Sequence, residues 1–209
     1  MTSANSFIDR DAGLGHFRVQ LQVPPEPNVK SDQTLVLLVG TMGMTSPISA
    51  SQIRAGMALI WNAEHRWMAS AGSVMCQPHG ADCHFISIYD ESDLKVEPGD
   101  VVVLNITNIP KKYVVGYEVS VPDKGMTTGV RTQLMIRQPD IVGVGADLRA
   151  ENVTRHEQLP YGETRILKTG YSAAINEAKE IPLTWKPYKP STWGQKFTQD
   201  GDRLIINWQ

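Results

Sequence analysis

The 209 residues carry 20 Lys and Arg against 22 Asp and Glu, a formal net charge of −2, with 41% hydrophobic and 20% charged residues. That balance describes an ordinary soluble globule and argues against a nucleic-acid binder with a basic stripe, because phosphate neutralisation needs clustered cations. No apolar run approaches the roughly 18–20 residues needed to cross a bilayer, so no membrane partner is expected.

Residues 1–15 are polar, contain Asp9, Asp11, Gly13 and Gly15, and read as a flexible N-terminal arm. They lack the basic start and apolar stretch of a secretory signal, which points to a cytosol-like compartment. Residues 16–209 read as a single β-sandwich domain with a loop-rich C-terminal third. In the first strand Phe17, Val19, Leu21 and Val23 share one face while Arg18, Gln20 and Gln22 take the other. Pro24, Pro25 and Pro27 then impose a loop, and the apolar run from Leu35 to Val39 predicts a strand covered on both sides. Residues 49–55 suit a short helical turn. Trp61 and Trp67 flank Glu64, His65 and Arg66, which predicts a bend or bulge. Pro98-Gly99 marks a turn before a strand over 101–106. Tyr113, Val115, Tyr117, Val119 and Val121 alternate again, and Val130 to Ile136 reads as one more strand. Glycines 143 and 145 and prolines 139, 160, 182, 187 and 190 break up the remainder, where 172–179 suits two helical turns and 203–208 a last strand. The expected fold class is all-β, a sandwich of two antiparallel sheets.

Chemistry-bearing clusters are few. Cys76, His79, Cys83 and His84 are thiolate and imidazole groups suited to tetrahedral zinc. On a strand, however, Cys83 and His84 face opposite ways, which argues against a shared ion. The two cysteines read as buried thiols, with a disulfide possible but unsupported by the spacing. Asp90, Glu91 and Asp93 lack the glycine-punctuated loop of a calcium site and read as a solvated turn. There is no Gly-x-Ser-x-Gly elbow, P-loop or dinucleotide fingerprint, so neither a catalytic residue nor a cofactor is expected. Trp185, Tyr188, Trp193 and Phe197 interleave with Lys186, Lys189 and Lys196. This mixture suits a protein interface, base stacking, or packing of the tail on the sandwich.

The order of segments over about residues 15–125 resembles the small capsid (coat) protein of comovirus-type plant viruses, in the picorna-like group. The residues that carry the likeness are the strand His16-Phe17-Arg18-Val19-Gln20-Leu21-Gln22-Val23, then Gln33 with Leu35 to Val39. To these are added Arg54-Ala55-Gly56-Met57-Ala58-Leu59-Ile60-Trp61-Asn62 and Tyr117-Glu118-Val119-Ser120-Val121. The resemblance implies a jelly-roll β-sandwich acting as a structural, non-enzymatic subunit of an icosahedral virion. Its partners would be other capsid subunits, with genomic RNA on the inner surface. Its location would be the virion, and the host cytoplasm during assembly. The terminal Gln209 would mark release from a polyprotein by a 3C-like protease. Trp185, Tyr188, Trp193 and Phe197 would serve contacts between subunits. Two alternatives remain open: a non-catalytic binding module such as a jelly-roll-derived movement protein, and a metal-dependent enzyme built on Cys76, His79, Cys83 and His84.

Overall fold

The computed structural model describes residues 2–7, 15–43, 52–76, 83–87, 94–109, 114–133, 141–172, 181–187 and 193–208. In chain order the strands are β1 (Thr2–Phe7), β2 (His16–Gln22), β3 (Thr34–Gly43), β4 (Gln52–Trp61), β5 (Trp67–Cys76), β6 (Cys83–Ser87), β7 (Leu94–Val96) and β8 (Val101–Ile109). They continue as β9 (Val114–Val121), β10 (Met126–Gln133), β11 (Ile141–Glu151), β12 (Glu163–Ser172), β13 (Ile181–Pro182), β14 (Lys186–Pro187), β15 (Lys196–Asp200) and β16 (Arg203–Asn207). Sheet A runs β14-β1-β11-β3-β4-β5-β6, with β7 also pairing β5. Sheet B runs β10-β9-β8-β2-β12-β16-β15, with β13 also pairing β12.

The all-β sandwich therefore stands, but its arrangement is not the eight-stranded capsid jelly roll that the resemblance implied. Among the described residues each sheet alone holds eight strands. Alternation marks a strand as half-buried without saying which strand lies beside it, so that resemblance carried no information about topology. Residues 2–7, read as part of a flexible arm, pair antiparallel with β11. Ala4 and Ser6, on one face of β1, are 0% and 2% exposed, and small side chains fit there where a polar composition suggested solvent.

The inner faces follow the period-2 pattern. Phe17, Val19 and Leu21 of β2, Leu35, Leu37 and Val39 of β3, and Met57 and Leu59 of β4 are fully buried in one core with Leu104, Ile106, Val144 and Leu148. Leu38, on the other face of β3, is buried as well, as its continuous apolar run predicted. At one end of the core Trp61, Trp67 and Trp208 pack with ring centroids 5.6 Å and 6.3 Å apart. The Trp67 indole N–H donates to the Pro25 carbonyl at 3.3 Å and that of Trp208 to Thr164 Oγ1 at 2.9 Å, while the buried Trp61 indole N–H meets no acceptor among the described residues. The charged stretch between Trp61 and Trp67 is neither a bend nor a bulge within one strand. It is a hairpin connection from β4 to β5, and the two tryptophans are register partners that close it. Asn62 Oδ1 accepts from the Glu64 N–H at 3.0 Å, and His65 takes a left-handed φ of 54°. The helical turn expected over 49–55 is corrected over Gln52 to Ala55, which belong to β4, while 49–51 lie outside the described residues; of the turns expected over 172–179, Ser172 ends β12 and 173–179 lie outside the described residues.

Two buried glutamines fasten the loop before β3 to the loop after β11. Gln33 Oε1 accepts from the Ser31 N–H and hydroxyl at 2.6 and 2.7 Å, and its Nε2 donates to the Val29 and Gln158 carbonyls. Gln158 Oε1 accepts from the Thr154 N–H, the Thr154 hydroxyl and the Arg155 N–H at 2.7, 3.0 and 2.9 Å, while its Nε2 donates to Ser31 Oγ at 2.6 Å. Gln158→Ala strands these partners. It is expected to lower stability by about 3 kcal/mol, seen as a fall in the urea midpoint at unchanged m.

Candidate functional site

Of the two outer faces, that of sheet A holds the perturbed chemistry. With Leu37, Val39, Met57 and Ala71 inward, alternation turns Gly40, Gly56 and Gly72 outward. Register places Gly145, Gly40, Gly56 and Gly72 in one row across β11, β3, β4 and β5. Three strand spacings of about 4.8 Å make that row about 14 Å long. The sheet is especially close at Gly56. A Cβ there would lie 2.6 Å from the Gly40 Cα and nearer still to the Val39 carbonyl oxygen, so only glycine fits.

The next row along the strands contains Asp147, opposite Ser3 on β1 and Leu38 on β3, and reaches the buried Ser70 of β5 through Ala58. Asp147 is only partly exposed. Burial pushes its carboxyl up to about 6, and the opposing attraction of Arg149 does not cancel that effect. Arg149 lies two residues along β11 and so on the same face, about 7 Å away along the strand. Asp100 moves the other way. Burial raises its pKa, but hydrogen bonds from Lys124 Nζ and the Glu97 N–H outweigh that, and its carboxyl lies below the ordinary range. With the Lys124 ammonium 2.7 Å away, Asp100 serves the turn before β8. A half-buried carboxyl poised near neutrality is suited to moving a proton, whereas a firmly ionised one is suited to holding a turn.

The residues singled out from sequence lie elsewhere. Trp185 and Phe197 are each 3% exposed and belong to the core. Trp193 packs against its margin and meets the His156 ring edge-to-face at 5.4 Å. Tyr188, Gln209, His79 and Asp90, Glu91 and Asp93 lie outside the described residues. Cys76, the last residue of β5, and Cys83, the first of β6, are register partners, and His84, one residue on, falls on the opposite face. Among the described residues no group of three or more His, Cys, Asp or Glu comes together to hold a metal. Asp147 was missed because one acid in an alternating strand reads as a solvent-facing position. The available signal was Gly143 and Gly145 just before it, since glycine inside a strand marks close approach of another group.

No protein-family profile and no curated protein matches the sequence. Solved structures do. One is SCP-B, a member of the eqolisin family of peptidases, in complex with the tripeptide Ala-Ile-His. It aligns over 100% of this chain and 96% of its own at 9% identity and a TM-score of 0.59. Scytalido-glutamic peptidase with a peptide-based transition-state analog aligns over 100% of this chain and 97% of its own at 8% identity, with a TM-score of 0.59. The fold is shared with these peptidases. This corrects three parts of the capsid reading: the coat-protein family, the structural role in a virion, and the expectation of a chain without enzymatic activity. These matches span the whole chain and are to peptidases, and the movement-protein alternative gains no support from them.

Proposed function

We propose that this chain is a peptidase that hydrolyses peptide bonds over the outer face of sheet A, with Asp147 as the proton-transferring carboxyl. The observation that carries the proposal is Asp147 itself. Among the described residues it is the one carboxyl pushed upward, to about 6, and it stands one row along from Gly145, Gly40, Gly56 and Gly72, positions that carry no side chain. The fold lends support, since the two peptidases that share it were solved with a tripeptide and with a peptide-based transition-state analog. The name of the second implies carboxyl chemistry by a glutamate. Here every described glutamate is exposed, so the part falls to the aspartate.

Ionised, Asp147 takes a proton from water as the water oxygen bonds to the scissile carbonyl carbon. Protonated, it passes that proton to the amide nitrogen as the C–N bond breaks, leaving a carboxylic acid and an amine. A carboxyl with a pKa of about 6 serves both steps near neutral pH, because neither form is scarce. Arg149 puts positive charge on the same face, where it opposes the negative charge gathering on the carbonyl oxygen.

The test is cleavage of a mixed peptide library followed by mass spectrometry between pH 3 and 8. Because the free enzyme must present the base form, kcat/KM is expected to rise about tenfold per pH unit up to about pH 6 and then level. A wild-type protein that cleaves nothing across this range, or a profile flat through pH 6, overturns the proposal.

A further inference from the structure

The chain has two cysteines, and β5 and β6 place them directly opposite each other, Cys76 against Cys83, at the end of the antiparallel pair where the connection 77–82 joins the two strands. We propose that these two residues close a cross-strand disulfide that ties β6 to β5. Opposed residues of an antiparallel pair have Cα atoms about 4.5 or 5.5 Å apart, depending on which kind of pair they form. Both spacings fall inside the roughly 4.4–6.8 Å that a disulfide spans, and opposed residues share a sheet face, so no backbone movement is needed to join them. Sequence spacing alone was silent on this; the register supplies it.

The position also gives the bond something to do. β6 is five residues long and stands at the end of sheet A, paired to β5 from Gly72 to Cys76. A short edge strand held from one side frays readily, and a covalent tie at its first residue closes the six-residue connection 77–82 into a small ring. Alternation puts Cys76 on the same face as Gly72, so the bond would stand at the rim of the surface that carries Asp147.

A small-molecule disulfide such as oxidised glutathione is a sufficient oxidant. One cysteine thiolate attacks a sulfur of the reagent and expels one thiolate, giving a mixed disulfide. The second cysteine thiolate then displaces the other half. The protein loses two thiol protons and two electrons, and the reagent is reduced to two thiols. The proposal is independent of peptidase activity and is tested without measuring it.

The full chain is equilibrated in glutathione buffers from reducing to oxidising, alkylated under denaturing conditions, and weighed intact. The expected result is two alkylations when reduced, none when oxidised, and a Cys76–Cys83 linked peptide from a monomer. A rise in Tm of about 5 °C should accompany oxidation and be absent in Cys83→Ser. Two free thiols in oxidising buffer, bridging between chains, or a zinc ion retained on both thiols in native mass spectrometry would each overturn the proposal.

Discussion

Asp147→Asn is expected to reduce peptide cleavage by about 100-fold or more while making the protein more stable at pH 8. The two effects share one cause. The native carboxyl holds its proton up to about pH 6, whereas in the unfolded chain it releases it near the ordinary value of 3.8. Between those values the native state binds more protons than the unfolded state, so stability falls as pH rises through the window and is constant above it. A shift of this size corresponds to about 3 kcal/mol, and partial exposure of the side chain reduces it to about 2 kcal/mol. Asparagine keeps the shape and carries no charge, so it removes the penalty. Thermal unfolding should therefore show Tm for Asp147→Asn about 6 °C above wild type at pH 8, with the two curves meeting below about pH 4. Equal Tm values at pH 8 would mean that the carboxyl is not destabilised by its surroundings, and the chemical role assigned to it would lose its basis.

Gly56→Ala is expected to be the most damaging single methyl group in sheet A. β4 is paired on both sides, to β3 and β5, so it cannot step aside. The added carbon meets the Val39 carbonyl and the Gly40 Cα, which are backbone atoms rather than the movable end of a side chain. Relief requires spreading β3 from β4 and giving up ladder hydrogen bonds. A loss of about 3 kcal/mol or more is expected, read from the urea midpoint. An unchanged midpoint would show that the strands part at that row without resistance.

What the sequence disclosed and what it withheld divide along one physical line. β2 was legible because one inner face and one solvent face produce strict alternation over Phe17 to Val23, and the structure buries the residues that this assigns inward. β3 was legible for the opposite reason, its unbroken apolar run matching a strand covered on both sides. β8 was announced by Pro98-Gly99, where Gly99 takes a φ of 91°, whereas the three-residue β7 before that turn was not. Pairing is non-local and was not legible. Nothing in Thr2–Phe7 states that it lies along β11, 140 residues away, and the capsid resemblance rested on residue types that any half-buried strand would share. The candidate site was hidden for the same reason. Gly145, Gly40, Gly56 and Gly72 are ordinary single glycines in the chain and become one row only through register. Asp147 reads as solvated until its neighbours across the sheet are known.

The paired glutamines have a further effect on β11. Their bonds begin immediately past the last rung joining β3 to β11, Thr34 opposite Glu151, and Asn152 adds a bond from its Nδ2 to the Asp32 carbonyl at 3.3 Å. A slip of one position between these strands would turn Asp147 into the apolar interior and Leu148 out to the surface. The amide groups reach their partners in a single alignment only. They act as a key that fits one setting of the lock, and that setting determines which side of the strand presents an acid to the outside.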